Sequence, residues 1–194
     1  GQTAAFALRR EGVRKIRVID RCARGDEGPW GTYARMEILR SPKHLTGPDL
    51  GVPSLTFRAW YEAQHGEDGW AQLYKVGRID WRDYLLWVRD TVGVEVENGM
   101  GLVAIAPTAS GVHATLEGAK GREDIWARKI VLAGGRDGAG ALRLPQFPGL
   151  DRASAEARRR VLHSTDGIEP EDFAGKRVGV LGAGASAFDW AATA

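Results

Sequence analysis

The residues whose types and spacing most clearly suggest chemistry run from Arg177 to Asp189: Arg177-Val178-Gly179-Val180-Leu181-Gly182-Ala183-Gly184-Ala185-Ser186-Ala187-Phe188-Asp189. An apolar strand-like run is followed by Gly-x-Gly-x-x-Ala and then by a segment of small residues suited to a helix. The first glycine permits a tight turn, and the second lets the backbone approach a pyrophosphate. The small Ala187 lets the helix pack close to the strand. The start of such a helix offers unpaired N–H groups and the positive end of its dipole, so the chemistry predicted is the holding of a dinucleotide diphosphate. The alternative is a mere tight turn. The acid that usually follows by about 20 residues, and separates NADH from NADPH, would lie past residue 194.

A second half of the same signature stands at the start. Gly1 followed by a small-residue helical segment, Gln2-Thr3-Ala4-Ala5, leads to Lys15-Ile16-Arg17-Val18-Ile19-Asp20, a short β-branched run ending in an acid. With Gly1 as the third glycine of a Gly-x-Gly-x-x-Gly turn, Gly1 and Ala5 form the small face of the helix. Asp20 then falls at the end of the following strand, where a carboxylate can accept both ribose hydroxyls. Alternatively, Asp20 opens a turn and Gly1 is incidental. The first reading predicts that the chain is cut within its nucleotide-binding motifs at both ends. Its sheet should then have a vacant central position, and its last helix few contacts beyond its own strand.

Between these turns the elements alternate in type. Residues 21–55 are rich in Gly and Pro and irregular, a length that is usually functional or wrapped around a ligand. Thr56 or Ser54 is placed to cap a helix through Phe57, Trp60 and Tyr61, and Asp80 another through Trp81, Tyr84, Leu85 and Val88. These spacings put Trp60, Trp81 and Trp87 in the core. From Val94 the period becomes strand-like: 94–96, 102–105, 112–116 and 125–132, separated by turn residues, read as an antiparallel meander whose last strand enters a buried apolar stretch. A charged helix near 151–160 and a final strand-turn-helix over 176–194 complete the series. The fold class predicted is α/β.

Composition removes several classes of function. Charged residues make up 27% of the chain, with 27 − 25 = +2 net charge. So small and evenly spread a charge argues against a nucleic-acid partner. Arg158-Arg159-Arg160 reads as a solvated helix face. No apolar run approaches the roughly 20 residues that cross a bilayer. The single cysteine, Cys22, excludes an internal disulfide, fits a reducing, cytoplasmic setting and reads as an inert thiol. No ligand spacing for a metal is present. His163 reads equally as a structural histidine between domains and as a cofactor contact.

The order of landmarks resembles the flavin-containing monooxygenase superfamily: half-motif, meander, Ala-Gly-Gly turn, Pro-x-Phe-Pro-Gly, His-Ser, Phe-x-Gly-Lys-Arg-Val, and a second glycine motif. The resemblance implies a doubly wound Rossmann-type FAD domain over 1–150, a connection over 151–175, and the start of an NAD(P)-binding domain over 176–194. It implies FAD and NADPH (or NADH) as cofactors, with Gly1 at the FAD pyrophosphate and Asp20 at its ribose. Gly28 and Trp30 would match Gly-Gly-x-Trp near the flavin, Val96 would lie at the adenine, and Ala133-Gly134-Gly135 would match the turn by which the chain leaves the FAD domain. Gly182, Ala183, Gly184, Ala185, Ser186 and Asp189 would serve the nicotinamide coenzyme. The activity implied is hydride transfer from NADPH to FAD, then oxygen activation on a small-molecule substrate.

Two stretches differ from the family pattern. Phe-x-Gly-x-x-x-His reads Ala157-x-Arg159-x-x-x-His163, and Asn-x-Ser-Lys reads Arg40-Ser41-Pro42-Lys43. Arg40 and Lys43 are therefore the candidate catalytic residues. The replaced asparagine keeps open a flavin-linked oxidoreductase without oxygen insertion. A third expectation is an inactive remnant that, expressed alone, binds FAD poorly.

Overall fold

The computed structural model describes residues 1–44, 47–135, 138, 140, 142–145, 148 and 152–193. Most of the Pro-x-Phe-Pro-Gly motif and the expected boundary at 150 lie outside them. Helix α1 (Gln2–Arg10) starts directly after Gly1, and Arg9 and Arg10 in its last turn complement its negative end. Ala5 is its buried position, whereas Gly1, expected on the same small face, is exposed. Gln2 Nε2 donates to the Leu85 carbonyl at 3.0 Å, and Arg9 donates to Gly93, so both ends of α1 are tied to α3 and the residues after it.

Strand β1 is only Ile19–Asp20, paired in parallel with β2 (Glu97–Asn98). The expected strand over 15–20 is therefore four residues shorter, and that over 94–96 is displaced C-terminally. A strand is defined by its neighbour, and among the described residues this parallel pair is two strands wide. Arg17 reinforces it with side chains instead. Its guanidinium reaches Glu97 at 2.7 Å and Glu123 at 2.8 Å, clamping the approach to β1 onto β2 and the meander.

The helical block carries the core. Thr56 caps α2 (Phe57–Gln72), accepting from Ala59 N at 3.2 Å as its residue type predicts. Gly66 breaks α2 with φ 71°, a conformation glycine adopts without strain. Helix α3 (Arg78–Thr91) begins two residues before Asp80, with Gly77 as its N-cap. Asp80 lies in the first turn, where its charge favours the dipole, rather than at the expected cap. Phe57, Trp70, Val76, Tyr84, Val88 and Leu39 form the buried cluster, with Trp60, Trp81 and Trp87 packed against it as expected. Tyr84 buries its hydroxyl but donates it to the Leu55 carbonyl at 2.7 Å, which satisfies the group.

The meander is present as β3 (Met100–Thr108), β4 (Gly111–Gly118) and β5 (Gly121–Ala127), in that antiparallel order. The continuation expected to Leu132 is absent. The partner strand ends at Val112, opposite Ala127, and Val131 and Leu132, expected to be buried, are exposed. Ser154 caps α4 (Ala155–Arg160), whose three arginines face solvent. Residues 176–181 run without a strand partner among the described residues, so the strand expected there does not form. Helix α5 (Ala185–Thr193) follows, and the expectation that it would have few outside contacts fails. Trp190 is buried, edge-on to Phe173 and under the Arg35 guanidinium at 5.2 Å.

Candidate functional site

The turn before α5 shows part of what its residues predict: the close approach is present, and the strand ahead of it is not. Gly182 has φ +149°, and a Cβ placed on it would stand 3.3 Å from the Ala187 Cβ. The first glycine and the small third residue are thus required by the same close approach. Gly184 accepts from Ala187 N at 3.0 Å and has open space where a side chain would be. Ala183 and Ser186 are exposed, and Ala185 begins the helix. The turn therefore leaves free approach to the start of a nine-residue helix, the arrangement that receives a phosphate.

At the other turn, Gly1 precedes α1 with no atom within 4 Å of the point where a Cβ would stand. Asp20 ends β1, and its Oδ1 accepts from Cys22 N at 2.8 Å; the turn-opening role and the strand-end position coexist. Burial and Asp20 both push the Cys22 thiol upward, which fits an inert thiol. Val96 lies just before β2, beside β1, and lines an open hollow with Arg24, Arg89, Asp90, Val94 and Asn98.

Two residues that line the hollow, Arg89 and Asn98, belong to a polar network centred on Glu27. Glu27 accepts from Arg89 at 2.6 Å, from Asn98 at 2.6 Å and from Gly25 N at 2.6 Å. Desolvation pushes the Glu27 carboxyl up, but these hydrogen bonds outweigh it and hold it below its ordinary value. Arg24 closes one side by pairing with Asp90 at 2.7 Å. Sequence reasoning missed Glu27, Arg89, Asn98 and Arg24. The acid Glu27, next to Gly28 in an otherwise irregular segment, was the available signal.

The remaining candidates are distributed elsewhere. Gly28 has φ +75° and its carbonyl accepts from Thr32 at 2.7 Å. Trp30 packs against the α2–α3 cluster, and its carbonyl accepts from Arg78. Ala133, Gly134 and Gly135 lie on an exposed turn in which Gly138 N donates to the Gly134 carbonyl at 3.0 Å. Lys43 is turned to the end of α2. Its Nζ donates to the Trp70 carbonyl at 2.6 Å and lies 4.7 Å from the Trp70 ring centre, the position of a helix-end cation. Arg40 reaches Asp189 of α5 at 3.8 Å, which brings a residue of the first half against the second glycine motif. His163 stays local, with Nδ1 2.8 Å from the Thr165 hydroxyl.

Comparison with known proteins gives this geometry a family. Residues 2–137 match the family described as FAD-NAD(P)-binding. The chain is 50% identical over 190 residues to an FAD-dependent urate hydroxylase of Xanthomonas campestris pv. campestris, covering 97% of this chain and 39% of that protein. It therefore spans about two fifths of the length of this relative. An ornithine hydroxylase of Pseudomonas aeruginosa superposes with a TM-score of 0.63 at 17% identity, over 90% of this chain and 44% of the other. An L-lysine 6-monooxygenase of Pseudomonas syringae gives 0.51 at 17% identity, over 81% and 39%. At such identities the superpositions show a shared fold alone, α/β and Rossmann-type.

Proposed function

Because the chain belongs to the FAD-NAD(P)-binding family, we propose that its protein is a flavin monooxygenase-like, FAD-dependent and NAD(P)H-using enzyme that hydroxylates urate or a closely related purine. The observation that carries this reading is the 50% identity to a urate hydroxylase across 190 residues. The small-molecule substrate and molecular oxygen are its reaction partners, and a cytoplasmic setting suits a chain with one partly buried, unpaired cysteine.

The residues fit the two cofactors. Gly1 with the start of α1 would face the FAD diphosphate, Asp20 its ribose, and Val96 its adenine in the hollow it lines with Asn98. Gly28 and Trp30 would approach the flavin end, and Ala133-Gly134-Gly135 would be the exit turn of this domain. Gly182, Ala183, Gly184, Ala185 and Ser186 would cradle the nicotinamide coenzyme, with Asp189 behind them on α5. The close approach at Gly182 is the feature that supports this cradle most directly. Residues 1–150 would form the FAD domain, 151–175 the connection and 176–194 the beginning of the second domain. When bound, FAD supplies the redox and oxygen chemistry; the protein contributes positioning and electrostatics. Lys43, engaged with the end of α2, has a structural role in this reading.

The test uses the complete protein that contains this chain, with FAD bound. NADPH or NADH oxidation and oxygen uptake should rise on adding urate, and not on adding ornithine or lysine, with one oxygen atom appearing in the product. Coenzyme oxidation that urate does not accelerate would overturn the substrate assignment. Oxygen converted wholly to hydrogen peroxide in the presence of urate would favour the oxidoreductase without oxygen insertion.

A further inference from the structure

We propose that Arg40 is a positioning residue. Paired with Asp189, it holds α5, and with it the Gly182–Gly184 turn, against the segment that leads into the helical core. This inference rests on the reading of that turn as the nicotinamide-coenzyme cradle.

Arg40 is well placed to act as a fixed post. Its neighbour Leu39 is buried and donates its N–H to the Val76 carbonyl at 2.8 Å. The Arg40 carbonyl itself accepts from Lys75 Nζ at 3.0 Å. Ile38 bridges Gly77 at the start of α3. The backbone of 38–40 is therefore stitched to the entry of α3, while the Arg40 guanidinium extends to Asp189 Oδ1 at 3.8 Å.

A second arginine meets the next residue of α5. Arg35 lies over the Trp190 ring at 5.2 Å, donates to the Ile168 carbonyl and lies 4.0 Å from Glu169. Two consecutive residues, Asp189 and Trp190, thus face two arginines from one short stretch, while Phe188 before them is exposed. Trp190 supplies burial, which is non-directional. The charge pair supplies what burial lacks, a preferred rotation of α5 about its axis. The Arg40 side chain is 65% exposed, so the pair has little weight in global stability. Its effect should appear in the orientation of the turn, to which cofactor geometry is sensitive.

The experiment has two arms. In the first, hydrogen exchange is followed in this chain for peptides covering 182–193, in wild type, Arg40→Ala, Asp189→Asn and the swap Arg40→Asp/Asp189→Arg. Each single substitution should speed exchange there about two- to fivefold, the range of an exposed ion pair. Peptides from the α2–α3 core should not change, and the swap should restore protection. In the second arm, the dissociation constant for NADPH or NADH is measured in the complete FAD-loaded protein. It should rise by a similar factor in Arg40→Ala and recover in the swap, with FAD content constant. Unchanged exchange in both single variants, or a swap no better than the singles, overturns the proposal. Failure of wild type to bind either coenzyme overturns the reading of the turn, and the exchange arm still decides the role of Arg40.

Discussion

In the α2–α3 block Tyr84, Val88 and Phe57 are 0%, 1% and 2% exposed, whereas between Arg177 and Thr193 Val178, Leu181 and Phe188 stand 40%, 68% and 69% exposed. Both regions place a helix after a turn, yet they are held differently. The block is held by apolar burial and ring contacts: Phe57 alone lies within 5.3–6.3 Å of Trp60, Tyr61, Trp70, Trp81 and Tyr84. The later turn is held by backbone conformation at Gly182, by one buried tryptophan and by two arginines of the earlier region. The difference separates two jobs. The block sets whether the chain folds, and the turn sets where a ligand could lie.

The largest expected effect strikes the first region. Replacing Phe57 with Ala removes a ring from the centre of the cluster and leaves a cavity between two helices. The cost should be about 3–5 kcal/mol, read as a fall in the urea midpoint of this chain. A loss below about 1 kcal/mol would mean that the cluster is not the cooperative core.

A smaller effect of opposite character is expected at the turn. Gly182→Val puts a branched side chain at φ +149° and 3.3 Å from Ala187. Local strain should be on the order of 1–3 kcal/mol, confined to the turn. The urea midpoint should fall by less than in Phe57→Ala, while binding of NADPH or NADH by the complete protein is lost and FAD is retained. Unaltered coenzyme binding would remove this turn from the site.

The same division explains which features could be read without a structure. Thr56 as a cap, Trp60, Trp81 and Trp87 against the core, and the Gly182–Ala187 approach all depend on residues within one or two helical turns of each other, where spacing carries the information. The meander was legible for the same reason, since its turns lie between adjacent strands. Val131 and Leu132 misled because an apolar run is buried only if a partner strand is beside it, and spacing does not supply the partner. Asp80 was misplaced by three positions because Gly77 also serves at a helix start. Arg40 with Asp189 and Glu27 with Arg89 join distant segments, so only the fold could pair them. In each case the sequence showed a charge and the structure supplied its counter-charge.

The smallest expected effect tests whether the hollow belongs with the core or with the turn. Arg89 comes from the core helix α3 and is buried, and its carboxylate partner Glu27 comes from the irregular segment. Because the folded state holds the Glu27 carboxyl below its ordinary value, ionised Glu27 stabilises the fold. That contribution is complete above the unfolded carboxylate value of about 4.3 and is lost as pH falls through the lower folded value. Glu97 and Glu123 are held down by hydrogen bonds from Arg17 and titrate in the same window, so wild type alone cannot isolate Glu27. The difference between wild type and Glu27→Gln does. Gln keeps the shape and an acceptor but not the charge, so the gap in unfolding free energy should be about 1 kcal/mol at pH 7. It should close as the pH falls from about 4.3 through the lower folded value. A gap that stays constant across that range would show that the loss comes from packing, and that the partly buried charge of Glu27 contributes nothing of its own.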